Sequence, residues 1–148
     1  MAEKDAVEAR TVDKVLDSTL ESVDSAEKAV LREAQHLRFD DDDLHKIGMS
    51  VRESMVNAVV HGNRYSARKK VRLTISRTPD QLVVVIADEG AGADVGSVPD
   101  PLADENLLSP SGRGLMIMRA FMDEVQIRTR APRGTEVKMV KHVAKASS

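Results

Sequence analysis

The sequence predicts an α/β fold, a two-layer sandwich in which a mixed, mainly antiparallel sheet carries its helices on one face. Three observations lead there. The apolar residues change period along the chain, giving the order strand, two helices, two strands, a long loop, helix, two strands. Leu82 to Ala87, LVVVIA, is a nearly continuous apolar run, as expected of a central strand. Aromatics make up only 2% of the 148 residues while 41% are hydrophobic, so the core has to be built from Val, Leu, Ile, Met and Ala.

Taken in order, residues 1–10 are polar and are expected to be disordered, with the folded domain over 11–141 and a small, polar, flexible tail over 142–148. TVDKVLDSTLES, with Val12, Lys14, Leu16, Ser18 and Leu20 in imperfect alternation, reads as an edge strand. VDSAEKAVLREAQHL reads as a helix capped by Asp24 or Ser25, with Ala26, Ala29, Val30 and Leu37 on its apolar stripe. The second helix follows a run of aspartates, Asp40 to Asp43, which suits the positive end of the helix dipole and can cap it. The same run as a calcium site would lack the alternate-position ligands, central glycine and terminal glutamate of a calcium loop.

KKVRLTISRTPDQLVVVIADEG is two strands joined at the turn TPD. From Ala91 to Ser111 the chain is rich in Gly, Pro, Ala, Asp and Ser, and so long a loop in a compact domain is either a functional lid or disordered. GRGLMIMRAFM restarts the helical period. EVQIRTR and GTEVKMVKHV then alternate as a hairpin across APRG.

Composition narrows the function classes. With 22 basic and 24 acidic residues the net charge is −2, and so few aromatics leave no base-stacking platform, so nucleic acid is not the expected partner. The absence of cysteine rules out disulfides and thiolate zinc sites and suits a reducing compartment. MAEKDAVEAR has no apolar signal core and no window approaches a membrane span, so a soluble, cytoplasmic protein with no membrane partner is expected.

Four constellations could carry chemistry. On the second helix Leu44, Ile47, Gly48, Val51, Met55, Ala58, Val59 and Gly62 share a packing face, at about 100° per residue. Ser50, Glu53, Asn57 and His61 form a separate polar ridge, which is either a solvated face or a functional one. The ridge has no Lys or Arg and runs into HGN, a helix-ending glycine signal that puts His61 in the last turn. A carboxylate and an amide one turn apart can serve as general base and as oxygen ligand to a hard cation. Second, ADEGAG ends a strand in Asp88, an acceptor suited to an exocyclic amine, followed by Gly90 and Gly92; a plain turn explains the pattern too. Third, Gly112, Arg113 and Gly114 open a helix whose free N–H groups favour phosphate. Fourth, Gly134 and Thr135 start the last strand, as a hairpin turn would also require.

In this order, Glu-x-x-x-Asn on a helix, Asp-x-Gly-x-Gly after a strand, a lid, Gly-x-Gly at a helix start and a final Gly-Thr resemble the GHKL, or Bergerat-fold, ATP-binding domain, over roughly Val12 to Val140. Within it, ESMVNAVVHGN and SPSGRGLMIMRAFMDEV look like the anti-sigma-factor serine-protein kinases. The resemblance implies that Asn57 binds Mg²⁺ and that Glu53 is the general base toward an attacking hydroxyl. It implies that Asp88 holds the adenine amine of ATP, with Thr135 supporting the pocket through its hydroxyl. Gly90 and Gly92 would shape the adenine side, and Gly112, Arg113 and Gly114 would face the phosphates beneath a lid at about 93–111. His61 is left to local structure. Where some relatives carry an arginine before the second glycine box this chain reads LLSPSG, with Pro110 and Ser111, and Arg113 is the cation nearest that role.

The implied reaction is in-line transfer of the γ-phosphoryl group of MgATP to a serine. The implied partners are an anti-anti-sigma factor as substrate, a sigma factor held by the kinase, and a second copy of the chain in a homodimer. Two other functions fit the same residues: an ATP-dependent switch without kinase activity, and a binding module in which the glycines only turn the chain.

Overall fold

In the computed structural model, residues 9–90, 113–131 and 133–144 are described. The elements are β1 (Arg10–Asp17), α1 (Leu20–Ala34), α2 (Asp41–Val56) continuing as a π-helical turn (Asn57–Gly62), β2 (Lys70–Thr78), β3 (Gln81–Ala87), α3 (Arg113–Phe121), β4 (Glu124–Thr129) and β5 (Thr135–His142). The predicted order of elements is the observed one. The lid at 93–111, Gly92 and Gly112 lie outside the described residues.

The five strands form one sheet in the order β1-β2-β3-β5-β4, and every neighbouring pair is antiparallel. The expected mainly antiparallel sheet is therefore wholly antiparallel by neighbours. Because β5 pairs antiparallel with both β3 and β4, those two strands run parallel to each other with β5 between them. Parallel strands need a crossover, and α3 lies on it.

One face of the sheet carries the helices. Val71, Leu73 and Ile75 of β2, Leu82, Val84 and Ile86 of β3 and Val137 and Met139 of β5 are buried against Val23, Ala26 and Val30 of α1, Ile47, Val51 and Met55 of α2 and Leu115 and Met118 of α3. This is the aliphatic core that the composition requires. A buried ion pair, Arg77 Nε to Glu33 Oε1 at 2.8 Å, crosses from β2 to α1. Lys141 Nζ donates to the carbonyl of Phe121 at 2.7 Å, closing the end of α3.

The start of α1 differs from the sequence expectation. Its N-cap is Thr19, whose hydroxyl accepts from Ser22 N at 3.3 Å, and not Asp24 or Ser25. Val23 lies on the buried stripe, so the helix has to begin before it, and Leu20 is its first residue rather than the end of a strand. Leu37 is buried but follows the helix. Asp40 caps α2 as expected, accepting from Asp43 N at 2.8 Å. Among the described residues no group of three or more His, Asp or Glu is arranged to hold a metal ion, the aspartate run included. No described helix is long and apolar enough to cross a membrane.

Candidate functional site

The polar ridge of α2 is not a solvated face along most of its length. Ser50 is fully buried and Asn57 is 4% exposed, while Glu53 is half-buried and only His61 is exposed. Ser50 Oγ, Ser54 Oγ and Asn57 Nδ2 have no hydrogen-bond partner among the described residues. An unmatched buried polar group costs about 1–3 kcal/mol, so a stripe of them marks a surface built for something other than the folded chain alone.

The start of α3 packs against the ridge at Glu53 and Asn57. A Cβ placed on Gly114 would lie 2.6 Å from Glu53 Oε1 and 3.2 Å from Asn57 Nδ2. Glycine lets the N-terminal turn of α3 approach the carboxylate and amide without displacing the Glu53 side chain, and that turn lies at the positive end of its helix dipole. Arg113 is the first residue of α3. Its side chain lies outside the described residues.

One turn beyond Glu53 the helix changes hand-hold. From Asn57 to Gly62 it is a π-helix, with Asn63 N donating to the carbonyl of Ala58 at 2.8 Å, and such one-turn widenings recur at functional sites. Gly62 is not the left-handed C-cap that HGN suggested. The positive-φ residues after the helix are Arg64 (51°) and Tyr65 (59°), and the need for glycine at 62 comes from contact. A Cβ there would sit 2.6 Å from both Cγ and Oδ2 of Asp88 and 2.9 Å from Oδ1.

Asp88 directly follows β3 and is 6% exposed. Its Oδ1 accepts from Gly90 N at 2.9 Å and from Thr135 N at 3.2 Å, and its own N–H donates to the carbonyl of Thr135 at 2.9 Å. Among the described residues none donates to Oδ2. Burial raises the Asp88 carboxyl above its ordinary value near 3.8, against the lowering effect of the Gly90 and Thr135 N–H bonds and of Arg130 and Lys69. Gly90 packs on the backbone of Gly62, and Gly134, at φ 113°, packs on the carbonyl of Asp88. Arg130 donates to that same carbonyl at 2.8 Å.

The sequence-predicted residues therefore gather at two points in the C-terminal part of one helix. Glu53, Asn57 and Gly114 meet at the first; Asp88, Gly90 and Thr135 meet beside Gly62, the last through its main chain. From Glu53 to Gly62 the helix rises at most about 13 Å at 1.5 Å per residue, and less where it is π-helical. Sequence reading placed Gly62 on the packing face without naming Asp88 as what it meets, and it missed Arg130 and Asn63. Asn63 stood in view in HGN, but an asparagine after a helix reads as a loop residue, and nothing local marks its partners.

Residues 16–141 match the family model for the histidine kinase-like ATPase domain. The anti-sigma F factor of Bacillus subtilis (strain 168) is 32% identical over 109 residues, 72% of this chain and 75% of that protein. The anti-sigma F factor of Oceanobacillus iheyensis is 31% identical over the same shares. Among solved structures, the RsbU and RsbW domains of a Mycobacterium tuberculosis protein superpose with a TM-score of 0.67 at 16% identity, covering 93% of this chain and 34% of that one. This chain thus spans about a third of that structure, and the likeness is one of fold.

Proposed function

The chain belongs to the histidine kinase-like ATPase family, among relatives of the anti-sigma F factors, and on that premise we propose that it is an ATP-dependent anti-sigma factor and serine-protein kinase. ATP would lie along α2 and its π-turn, with the adenine amine on Asp88 Oδ2 and the phosphates between Glu53, Asn57 and the start of α3. The observation that carries this reading is the Asn57 amide, buried, with no partner for Nδ2 among the described residues, and set against Gly114, one turn from Glu53.

That amide fits a magnesium–phosphate group. Its oxygen is the hard donor that Mg²⁺ takes, its N–H groups can donate to phosphate oxygens, and Mg²⁺ relies on substrate phosphates more than on an all-protein cage. Bound there, the ion would neutralise charge developing on the phosphates. Glu53, half-buried and close to Gly114, would accept the proton of a serine hydroxyl on the partner. That serine oxygen bonds to the γ-phosphorus as the bond to the β-phosphate oxygen breaks and ADP leaves. The protein's own share is positioning and charge. Gly92, Gly112 and Arg113 would complete the base and phosphate contacts, and the Thr135 hydroxyl would line the base pocket. The substrate would be an anti-anti-sigma factor, the second partner a sigma factor, and the acting form a cytoplasmic homodimer.

The test is incubation with MgATP and a cognate anti-anti-sigma protein. Phosphoserine on that protein with wild type and none with Glu53→Ala is the expected result. No transfer by wild type, or equal transfer by Glu53→Ala, overturns the kinase assignment. ATP-dependent partner binding that survives Glu53→Gln without any transfer would instead identify a non-catalytic switch.

A further inference from the structure

Asn63 stands just beyond the π-turn, 1% exposed, and all three of its side-chain hydrogen bonds reach other elements. Its Nδ2 donates to Ser18 Oγ at 2.9 Å and to the carbonyl of Lys70 at 3.0 Å. Its Oδ1 accepts from Glu89 N at 2.8 Å, within the segment Asp88–Gly90. Ser18, after β1, in turn donates to the carbonyl of Lys69, and Lys70 N donates to Glu89 Oε2 at 2.7 Å. One buried amide thus ties the end of β1, the start of β2 and the loop after β3 to the last turn of the site helix.

The link bears on geometry because that loop has little slack. Asp88 Oδ1 is held by Gly90 N and Thr135 N, and Gly90 and Gly62 touch through their backbones. The one bond that fixes the N–H of Glu89, between these two anchors, is the bond to Asn63. We infer that Asn63 is a positioning residue for the base half of the site: it sets where Asp88 Oδ2 points, and so sets affinity for the adenine amine without touching the nucleotide. The inference rests on the ATP-binding reading above. It assigns the phosphate half of the site, Glu53, Asn57 and Gly114, to a separate anchor that Asn63 does not control.

Two probes separate these halves, ATP and inorganic triphosphate, each titrated calorimetrically with Mg²⁺ into wild type, Asn63→Ala and Asn63→Asp. Asn63→Ala removes the acceptor of Glu89 N and both donors, and is expected to weaken ATP about tenfold, the worth of one to two hydrogen bonds. Triphosphate affinity is expected to stay within about twofold, since its contacts would lie on the Glu53–Asn57 side of the site. Asn63→Asp keeps the acceptor facing Glu89 N and loses the donors, so it is expected to recover most of the ATP affinity even where its melting temperature is below wild type. A purely structural asparagine would weaken both probes together and give no recovery with Asp, and either result overturns the inference. Should Asn63→Ala fail to fold, Asn63→Asp decides it, since loss of ATP affinity as large as that of triphosphate refutes the positioning role. Wild type that binds triphosphate but not ATP defeats the adenine reading itself, whereas wild-type ATP binding unchanged in Asn63→Ala defeats only the role of Asn63.

Discussion

Replacing Gly62 by alanine separates two accounts of that residue, because they predict opposite signs. If Gly62 were only a glycine inside a helical turn, alanine would stabilise the protein by about 0.8–1.0 kcal/mol through helix propensity. The structure instead puts the new methyl carbon 2.6 Å from Cγ and Oδ2 of Asp88 and 2.9 Å from Oδ1, well inside van der Waals contact with three atoms. Asp88 cannot swing away freely, since Oδ1 holds the N–H groups of Gly90 and Thr135. Overpacking of a buried site costs about 1–3 kcal/mol. Pulling a carboxylate oxygen from even one of its two donors adds about 1.5 kcal/mol. Less the propensity gain of about 1 kcal/mol, the net is a destabilisation of about 1.5–3.5 kcal/mol. Urea denaturation reads this as a lower midpoint at unchanged slope, and ATP titration should show binding lost alongside. A midpoint at or above wild type, with ATP affinity retained, would refute the claim that Gly62 is fixed by Asp88.

Other outcomes follow from the same geometry. Asn57→Ala deletes a buried amide whose Nδ2 has no described partner, so folding stability should stay within about 1 kcal/mol of wild type or rise while MgATP binding is lost, as urea melts and calorimetry together would reveal. Asp88 carries a pKa raised by burial, so its contribution to stability is fully present below the ordinary carboxylate value and is lost as pH rises through the higher folded one. Asp88→Asn keeps an oxygen for Gly90 N and Thr135 N without that charge, so its stability relative to wild type should improve from pH 4 to pH 7 even as it loses ATP; a constant difference in urea midpoint across that range would contradict the burial argument. Arg77→Leu leaves Glu33 buried, with Arg10 at 3.8 Å as its remaining ion-pair partner, and should cost about 3 kcal/mol in urea while leaving the ATP affinity of the folded fraction unchanged.

Much of the fold was legible because period and punctuation are local. The alternation in VRLTISR and the apolar run LVVVIA, separated at Pro79 and Asp80, are the β2–β3 hairpin as observed. The aspartate run worked as a cap because capping needs only a side chain within three residues. Thr19 was missed for a related reason: Asp24 and Ser25 are equally good caps by type, and the choice depends on Val23 needing a sheet to pack against. The π-turn leaves no trace in composition, because widening a helix by one residue per turn rewards contacts at 57–62 that only the assembled site provides. Gly62 misled because a glycine near a helix end has a common local explanation, whereas its reason here is a carboxylate 26 positions later. Glu53 and Asn57 were legible as a pair. That the ridge is buried was not, since Gly114, which packs against it, lies on another helix across the long loop.

The placement of β5 governs when the protein can work as it is made. The strand that completes the middle of the sheet, pairing with β3 on one side and β4 on the other, is the last of the five in chain order. Until it arrives, β3 has an open edge, and Asp88 lacks the Thr135 backbone that orients its carboxylate. Such late, sequence-distant pairing slows folding and leaves a strand edge exposed meanwhile. A nascent chain would therefore hold Glu53 and Asn57 on a finished helix before Asp88 is oriented, so on the proposed reading competence for nucleotide would wait for β5.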